Sequence, residues 1–440
     1  YQDFAAFEIT ESSAATEARI FVPQDFFMCD DCLEELRDPG DRRFRYPFIN
    51  CTQCGPRYTL IEALPYDRPS TSMAGFPLCA DCEAEYLDPA DRRFHAEPVA
   101  CPVCGPQLSF VDQQGQDKTG SEEALLAALD KLQDGHIIAV KGIGGYHLMC
   151  DARSYTAIDE LRRRKQRPAK PLAVMFPLEG KDGLDAVRRC ADLTPDEAAL
   201  LVSPGRPIVL ARKNGNYELA RNVAPGLSEV GAFLPYSPLH TLLLDEFGSP
   251  LVATSANISG EPVLTDNTEV EMRIADIVDA YLHHDRPIVR PADDPVYRRV
   301  GGEMRPIRIG RGCAPVEIDL PWRQKEPVLA VGGHMKGTVA LSWDDRVVVS
   351  PHIGEMDSPR SLKVFEQVAL DLQRLYGVAA KRIVCDAHPG YTTHRWARRQ
   401  ALPVETVWHH AAHASAMAAE CGVTDDCLMF TWDGVGLGED

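Results

Sequence analysis

Eight cysteines near the N-terminus carry the plainest chemical signal in the sequence. Cys29 and Cys32 form one CxxC pair, and Cys51 and Cys54 form the next after eighteen intervening residues. Cys79, Cys82, Cys101 and Cys104 repeat the spacing at an offset of fifty residues. The repeat reaches beyond cysteine, because CDDCLEELRDPGDRRFRYPFINCTQCGP aligns without a gap on CADCEAEYLDPADRRFHAEPVACPVCGP, so it is an internal duplication. Four thiolates from two CxxC turns suit tetrahedral zinc. Redox pairs or disulfides are the competing reading, but four pairs at matched spacing in a long chain favour two structural zinc ions. Units this small and charged bury little apolar area, so the metal supplies much of their folding free energy. Spacing leaves open whether each copy closes on its own four cysteines, which duplication favours, or exchanges pairs.

A second set of residues has the chemistry of phosphate binding. The segment LRRRKQRPAKPLAVM holds Arg162, Arg163, Arg164, Lys165, Arg167 and Lys170, with Arg153 just upstream, in an otherwise acidic chain. A solvated helix face is the plain reading. Pro168 and Pro171, however, break the helix there and leave Lys165, Arg167 and Lys170 on an extended segment running into an apolar strand, a geometry suited to a polyphosphate clamp. Downstream, LVATSANISGEP predicts a buried strand ending in Thr254, Ser255 and Asn257, short hydrogen-bonding groups that either cap a helix or hold a ligand. A third set is His409 and His413, four apart in an Ala-rich helical stretch and therefore on one helical face, with His410 pointing elsewhere. Such a pair is half of a metal site or plain packing, which a third ligand decides, and Asp433, after the apolar strand LMFTW and before glycines, stands where a strand terminus could bring its carboxylate to them.

The elements that position these groups follow from pattern and composition. With 440 residues, 45% hydrophobic, the chain is globular and needs two to four domains. A net charge of −19 disfavours broad binding to phosphate backbones, so no nucleic-acid partner is expected. No stretch approaches the roughly 20 apolar residues of a membrane span, and the first residues lack a secretory pattern, which predicts a cytoplasmic protein. After the Gln- and Gly-containing stretch VDQQGQDKTG, SEEALLAALDKLQDG predicts a helix and HIIAV a short buried strand. That strand ends in the glycine-rich turn KGIGGYHLMCDA, where ligands commonly bind in open α/β sheets. Past the Pro- and charge-rich APVEIDLPWRQKEP, VLAVGG, HMKG and TVALSWDD start a new domain. The expected architecture is α/β (α+β) multidomain: an extension at 1–20, a duplicated zinc module at 21–110, an α/β domain at 120–315, and another at 326–440.

Taken together, IAVKGIGGYHLMCDA, the Lys165/Arg167 pair, SPGRPIVLA, FLPYSPLHTLLL and TSANISGEP resemble the YrdC-type domain, which makes carbamoyl-adenylates from ATP. The duplicated cysteine block in front of it makes nearly the whole chain similar to the HypF carbamoyltransferase family of NiFe-hydrogenase maturation. The resemblance implies that Lys165 and Arg167 neutralise the phosphates of ATP, bound with Mg²⁺, while Ser255 and Asn257 hold the carbamoyl group or a phosphate. It further implies that Lys141, Gly144, Gly145, His147, Lys170, Arg206 and Thr254 contribute to the nucleotide pocket. The last domain resembles the first lobe of a TsaD-type domain of the actin-like ATPase group, which makes His409, His413 and Asp433 ligands of an iron or zinc ion. VGGHMKG resembles that group's phosphate-facing hairpin and DAHPGY one of its loops, and neither is given a role. Two departures stand out: Pro295 where Ser is expected, and Ala411 where His is frequent.

The implied activity starts from carbamate, derived from carbamoyl phosphate, and delivers the carbamoyl group to the C-terminal cysteine of a HypE-type partner. The family's N-terminal acylphosphatase domain and the end of its last domain are expected to be missing from this stretch of sequence. A threonylcarbamoyl-adenylate enzyme acting on tRNA and a zinc-dependent interaction scaffold are the competing readings. Acidity and the cysteine block weigh against the first.

Overall fold

Cys29 and Cys79 each stand as the extended residue before an eight-residue helix, Asp30–Arg37 and Ala80–Leu87, and carry the second cysteine of their pair onto the helix, where it is buried. Acidic residues in each first turn, Asp30 and Asp31, then Asp81 and Glu83, suit the helix dipole. The computed structural model describes residues 21–434 and 436–438, so the proposed extension at 1–20 lies outside the described residues. The two copies of the module pack side by side, and each closes on its own four cysteines.

Behind them stands a 12-stranded mixed sheet. Its strands are β1 (Leu108–Asp112), β2 (Asp117–Thr119), β3 (Ile138–Lys141), β4 (Tyr146–Asp151), β5 (Ala173–Met175), β6 (Ala191–Asp192), β7 (Ile208–Lys213), β8 (Glu229–Phe233), β9 (Leu251–Ser255), β10 (Ala280–His284), β11 (Val296–Val300) and β12 (Glu303–Arg308). They run β12-β11-β7-β8-β5-β9-β4-β3-β10-β1-β2, with β6 beside β7. The helix foreseen at SEEALLAALDKLQ forms at Ser121–Gln133, with Ala124, Leu125, Ala128, Leu129 and Leu132 buried at helical spacing. Strands β3 and β4 are a hairpin around the glycine-rich turn, and β4 pairs antiparallel with β9 in a register that sets His147 opposite Ser255 and Leu148 opposite Thr254.

A second sheet holds β13 (Val316–Asp319), β14 (Val328–Ala330), β15 (Ala340–Trp343), β16 (Arg346–Val349), β17 (Arg382–Asp386) and β18 (Val404–Val407), in the order β13-β16-β15-β14-β17-β18. The meander β14–β16 is antiparallel, and β17 and β18 run parallel to β14. Helix Pro359–Tyr376 makes the crossover and buries Phe365, Val368, Ala369 and Leu372 in one core with Leu329, Leu341, Val348 and Ile383.

Both segments left between the expected domains contain strands. Residues 108–119 form a hairpin that joins the large sheet by pairing β1 with β10, so the sheet begins before residue 120. Val316–Asp319 pairs with β16, so the second sheet begins before residue 326. Charged side chains disguise both because each strand lies at or near a sheet edge, where one side faces water. Among the described residues no helix is long and apolar enough to cross a membrane.

The three parts are riveted at Arg290. Its guanidinium is fully buried, donates to the carbonyls of Tyr58 and Ile61 in the cysteine module, stacks on the Tyr58 ring at 4.7 Å and lies 3.9 Å from Asp371 of the crossover helix.

Candidate functional site

The cationic segment leaves the helix as expected but is not extended throughout: Lys165 is the helical C-cap and residues 168–170 bend. Helix Tyr155–Arg164 is capped by Ser154 and ends at Lys165, after which Gln166 takes a φ of 51° and the chain bends at 168–170 before entering β5. The seven cations divide by partner. Arg153 pairs with Asp151, Arg163 with Glu160, and Arg164 with Glu160 and Asp279. Arg162 is buried and donates to the carbonyls of Asn222, Arg167, Lys170 and Val223, so it shapes the backbone of the segment. Lys165, Arg167 and Lys170 remain, and all three line a cavity of about 670 Å³.

Lys165 donates from Nζ to the carbonyl of Ser255 and to Asn257 Oδ1 at 3.1 Å. Burial, and then the like charge of Arg167, pushes its ammonium down to about 7, against the opposing pull of Asp293. Arg167 donates to Thr254 Oγ1 at 3.1 Å and to the carbonyl of Pro171 at 3.0 Å, and burial next to Arg162 and Arg308 lowers it to about 10. Ser255 Oγ donates to Asn257 Oδ1 at 3.0 Å, while Asn257 Nδ2 donates to the carbonyl of Glu261. Three cations and three small polar side chains from β9 and its loop therefore converge on one wall, all of them expected from the sequence.

His147 and Gly145 also line the cavity. His147 Nε2 lies 2.8 Å from Asp294 Oδ2, and its Nδ1 lies 3.2 Å from the Tyr236 hydroxyl. Although burial raises Asp294, His147 and Arg311 hold its carboxyl well below the usual carboxylate range. Gly145 has a φ of 156°, and a Cβ there would stand 2.5 Å from both methyls of Val263. Three expected residues fall elsewhere. Lys141 is buried on the other side of the hairpin, donating to Asn267 Oδ1 at 2.7 Å and to the carbonyl of His284 at 3.0 Å. Gly144 packs against Ala292, whose carbonyl a Cβ would meet at 2.3 Å. Arg206 is buried against the Phe27 ring at 4.1 Å, between the cysteine module and the large sheet. For Lys141 and Arg206 the side-chain direction, and for Gly144 the packing of its backbone against Ala292, decided what adjacency in sequence did not. Pro295 is not a lining residue, but its neighbours Asp293, Asp294 and Val296 are.

Sequence reasoning missed the other half of the cavity. Arg308, at the end of β12, reaches it and lies 3.7 Å from Asp293. Lys336, Thr338, His352, Gly354 and Glu355 of the second sheet's domain close it. No sequence signal pairs these segments, since they meet only when the two sheets dock.

The cysteine clusters fit zinc by their dimensions. Sγ–Sγ separations are 3.6 to 3.8 Å in Cys29–Cys51, Cys32–Cys54, Cys51–Cys54, Cys79–Cys101 and Cys101–Cys104. A tetrahedron with Zn–S bonds of about 2.3 Å has edges of roughly 3.8 Å. The two four-cysteine clusters support two structural zinc ions.

At the end of β18, helix His409–Glu420 presents His409 and His413 on one face, their Nε2 atoms 3.2 Å apart, and Asp433 Oδ2 lies 3.3 Å from His409 Nε2. Imidazole and carboxylate ligands at about 2.0 Å from one tetrahedral ion stand roughly 3.3 Å apart, so the three side chains also fit a metal. Asp386, at the end of β17, accepts from His409 Nδ1 at 2.7 Å and fixes the ring with Nε2 inward. That residue opens the DAHPGY loop, which the sequence reading left without a role. Two expectations are corrected: His410 is not turned away, since its Nε2 reaches Asp433 Oδ1 at 3.0 Å, and the segment before Asp433 is not a strand. Its Leu428, Phe430 and Trp432 are exposed, so no neighbouring strand pairs with it among the described residues.

Comparison with known proteins finds three family models along the chain. The family model described as HypF finger matches residues 28–61 and 78–111, that described as telomere recombination matches 130–310, and the HypF Kae1-like domain matches 323–420. The carbamoyltransferase HypF of Synechocystis sp. is 48% identical over 440 residues, all of this chain and 57% of that protein. The crystal structure of full-length HypF in its phosphate- and nucleotide-bound form superposes with a TM-score of 0.89 at 41% identity, over 94% of this chain and 54% of that one. That of T. kodakarensis HypF gives 0.91 at 38% identity, over 96% and 56%. The chain thus spans a little over half the length of the relatives it matches. With cysteine module, YrdC-like sheet and Kae1-like lobe in the same order and at this identity throughout, the chain belongs to the HypF family.

Proposed function

We propose that this chain carries the adenylate-forming centre, and part of the transfer centre, of an ATP-dependent carbamoyltransferase of hydrogenase maturation. The observation that carries this reading is the convergence of Lys165, Arg167 and Lys170 with Thr254, Ser255 and Asn257 on one cavity of about 670 Å³. A carbamate oxygen attacks the α-phosphorus of ATP, forming the new P–O bond as the bond to the β-phosphate breaks and pyrophosphate leaves with the electron pair. Two anions must approach each other, and the three cations screen them and stabilise the charge gathering on pyrophosphate. Mg²⁺ bound with the nucleotide would share that neutralisation. Asn257, oriented by Lys165 and Ser255, is placed to hold the carbamoyl group. That a HypF relative has been crystallised with phosphate and nucleotide bound supports ATP as the nucleotide.

The acceptor is the C-terminal cysteine thiolate of a HypE-type protein, which attacks the carbamoyl carbon and expels AMP. An iron or zinc ion held by His409, His413 and Asp433 would supply positive charge beside a nucleotide phosphate in the Kae1-like lobe. Asp386 keeps His409 in the ligating tautomer. Cytoplasmic location and the absence of a nucleic-acid partner follow from the same reading.

The test is pyrophosphate release from ATP with ammonium carbamate as co-substrate. Release that depends on carbamate and is lost in Lys165→Ala supports the reading. Full carbamate-dependent release by Lys165→Ala, or release that depends on threonine instead, overturns it.

A further inference from the structure

The large cavity is not the property of one domain. Its far wall comes from the Kae1-like lobe, through the β14–β15 turn at Lys336 and the loop after β16 at His352 to Glu355. These two loops are tied to the adenylate side by a short series of contacts. Gly337 donates to the carbonyl of Gly354 at 2.8 Å and accepts from Ile353 at 2.8 Å. Gly354, at a φ of 123°, presses on Gly260, whose carbonyl a Cβ would meet at 2.9 Å, and Glu355 donates its backbone N–H to the same carbonyl at 3.1 Å. Gly260 lies in the loop that carries Asn257. His352 adds a side-chain link, its Nδ1 standing 3.3 Å from Asp293 Oδ2. Backbone hydrogen bonds and one close contact thus connect the lysine turn to the loop that holds the carbamoyl-binding residues.

Lys336 is held at the cavity mouth in a backbone conformation that L residues avoid, with a φ of 52°. Among the described residues it forms no ion pair and no side-chain hydrogen bond, and the carboxylate of Glu355 lines the same cavity. An exposed lysine normally reaches into water from a relaxed loop. Lys336 is exposed too, but on a left-handed backbone, and it lines a chamber shared with Lys165, Arg167, Lys170 and Arg308, where like charges repel one another unless an anion is present.

Resting on the adenylation reading above, we propose that Lys336 is a phosphate-contacting residue of the adenylate-forming site, supplied by the Kae1-like lobe across the domain boundary. Its ammonium binds a phosphate oxygen of the nucleotide in the shared cavity. The adenylating centre is then complete only while the lobe is docked, and the lobe reads the nucleotide at the point where the adenylate is made.

The experiment compares Lys165→Ala, Lys336→Asn and Lys336→Arg in the purified protein, following pyrophosphate release with ATP and ammonium carbamate. Asn removes the charge yet tolerates the left-handed backbone, so K336N keeps the turn. K336N is expected to lower kcat/KM for ATP at least tenfold, K336R to recover most of it, and the urea midpoint and zinc content to stay unchanged. Wild-type kcat/KM in K336N, with K165A inactive, overturns the proposal and leaves the adenylation reading standing. A loss in K336N that K336R does not recover, or that comes with a lowered urea midpoint, assigns Lys336 a structural part and likewise overturns it. Full release in K165A removes the adenylation reading and this inference with it.

Discussion

Arg42 Nη2 of the first cysteine repeat donates to Cys82 Sγ of the second at 2.9 Å, and Arg92 Nη2 of the second returns the contact to Cys32 Sγ at 3.2 Å. The exchange extends to the next residues. Arg43 pairs with Glu85 and donates to the carbonyl of Ala100 at 2.9 Å, while Arg93 pairs with Glu35 and donates to that of Asn50 at 3.2 Å. Each repeat keeps its own four cysteines but lends its DRR arginines to the other, so a tetrathiolate carrying net negative charge with zinc is neutralised from across the pseudo-twofold.

The two zinc sites are therefore expected to be lost together. Cys32→Ser should release metal from the first cluster and weaken the second. Double substitution Arg42→Ala with Arg92→Ala should speed zinc loss to a colorimetric chelator about tenfold or more with all eight cysteines intact. Independent single-exponential release from each cluster, unchanged in the arginine variant, would show that the contacts carry no coupling.

Lys165 makes the cavity costly to fold. Its ammonium is depressed to about 7, below the unfolded value of 10.5, so the unfolded chain binds more protons between those values and stability from this group rises with pH across that window. The penalty is complete below about pH 7. Lys165→Met is expected to raise stability at pH 7 by roughly 1–3 kcal/mol while abolishing pyrophosphate release, and to lose that advantage by pH 10. Urea unfolding of both proteins at pH 7 and pH 10 checks it.

Arg290 joins three parts of the chain from a fully buried position. Arg290→Met keeps bulk but leaves the Tyr58 and Ile61 carbonyls without their donor and Asp371 with Arg374 alone as its cation. Destabilisation of about 2–4 kcal/mol is expected, with the parts unfolding at separate midpoints. A single unshifted transition in calorimetry would contradict this.

At the histidine centre, His409→Ala should remove a metal ion and leave the two zinc ions of the cysteine clusters. Asp386→Asn should weaken binding there about 10- to 100-fold by releasing the His409 tautomer. Metal stoichiometry by mass spectrometry and titration with zinc or ferrous iron separate the two effects. A D386N protein with wild-type affinity would leave Asp386 with a packing role.

The sequence by itself determined whatever is local. CxxC spacing marks two sets of thiolates fit for zinc, Pro168 and Pro171 keep the helix from continuing past the cluster of Lys165, Arg167 and Lys170, and i, i+4 spacing aligns His409 with His413. These follow from bond geometry and helical pitch, which a short stretch of chain fixes alone. Tertiary structure decided the rest. Register across β4 and β9 brought His147 opposite Ser255, and strand alternation turned Lys141 away. Pairing at sheet margins made strands in two stretches between the expected domains, whose charged residues hide the alternation. Docking of the two sheets brought Lys336, His352 and Glu355 to a cavity whose other wall begins more than 150 residues earlier in the chain. Contacts at that separation depend on how whole sheets pack, and the composition of neither segment records them.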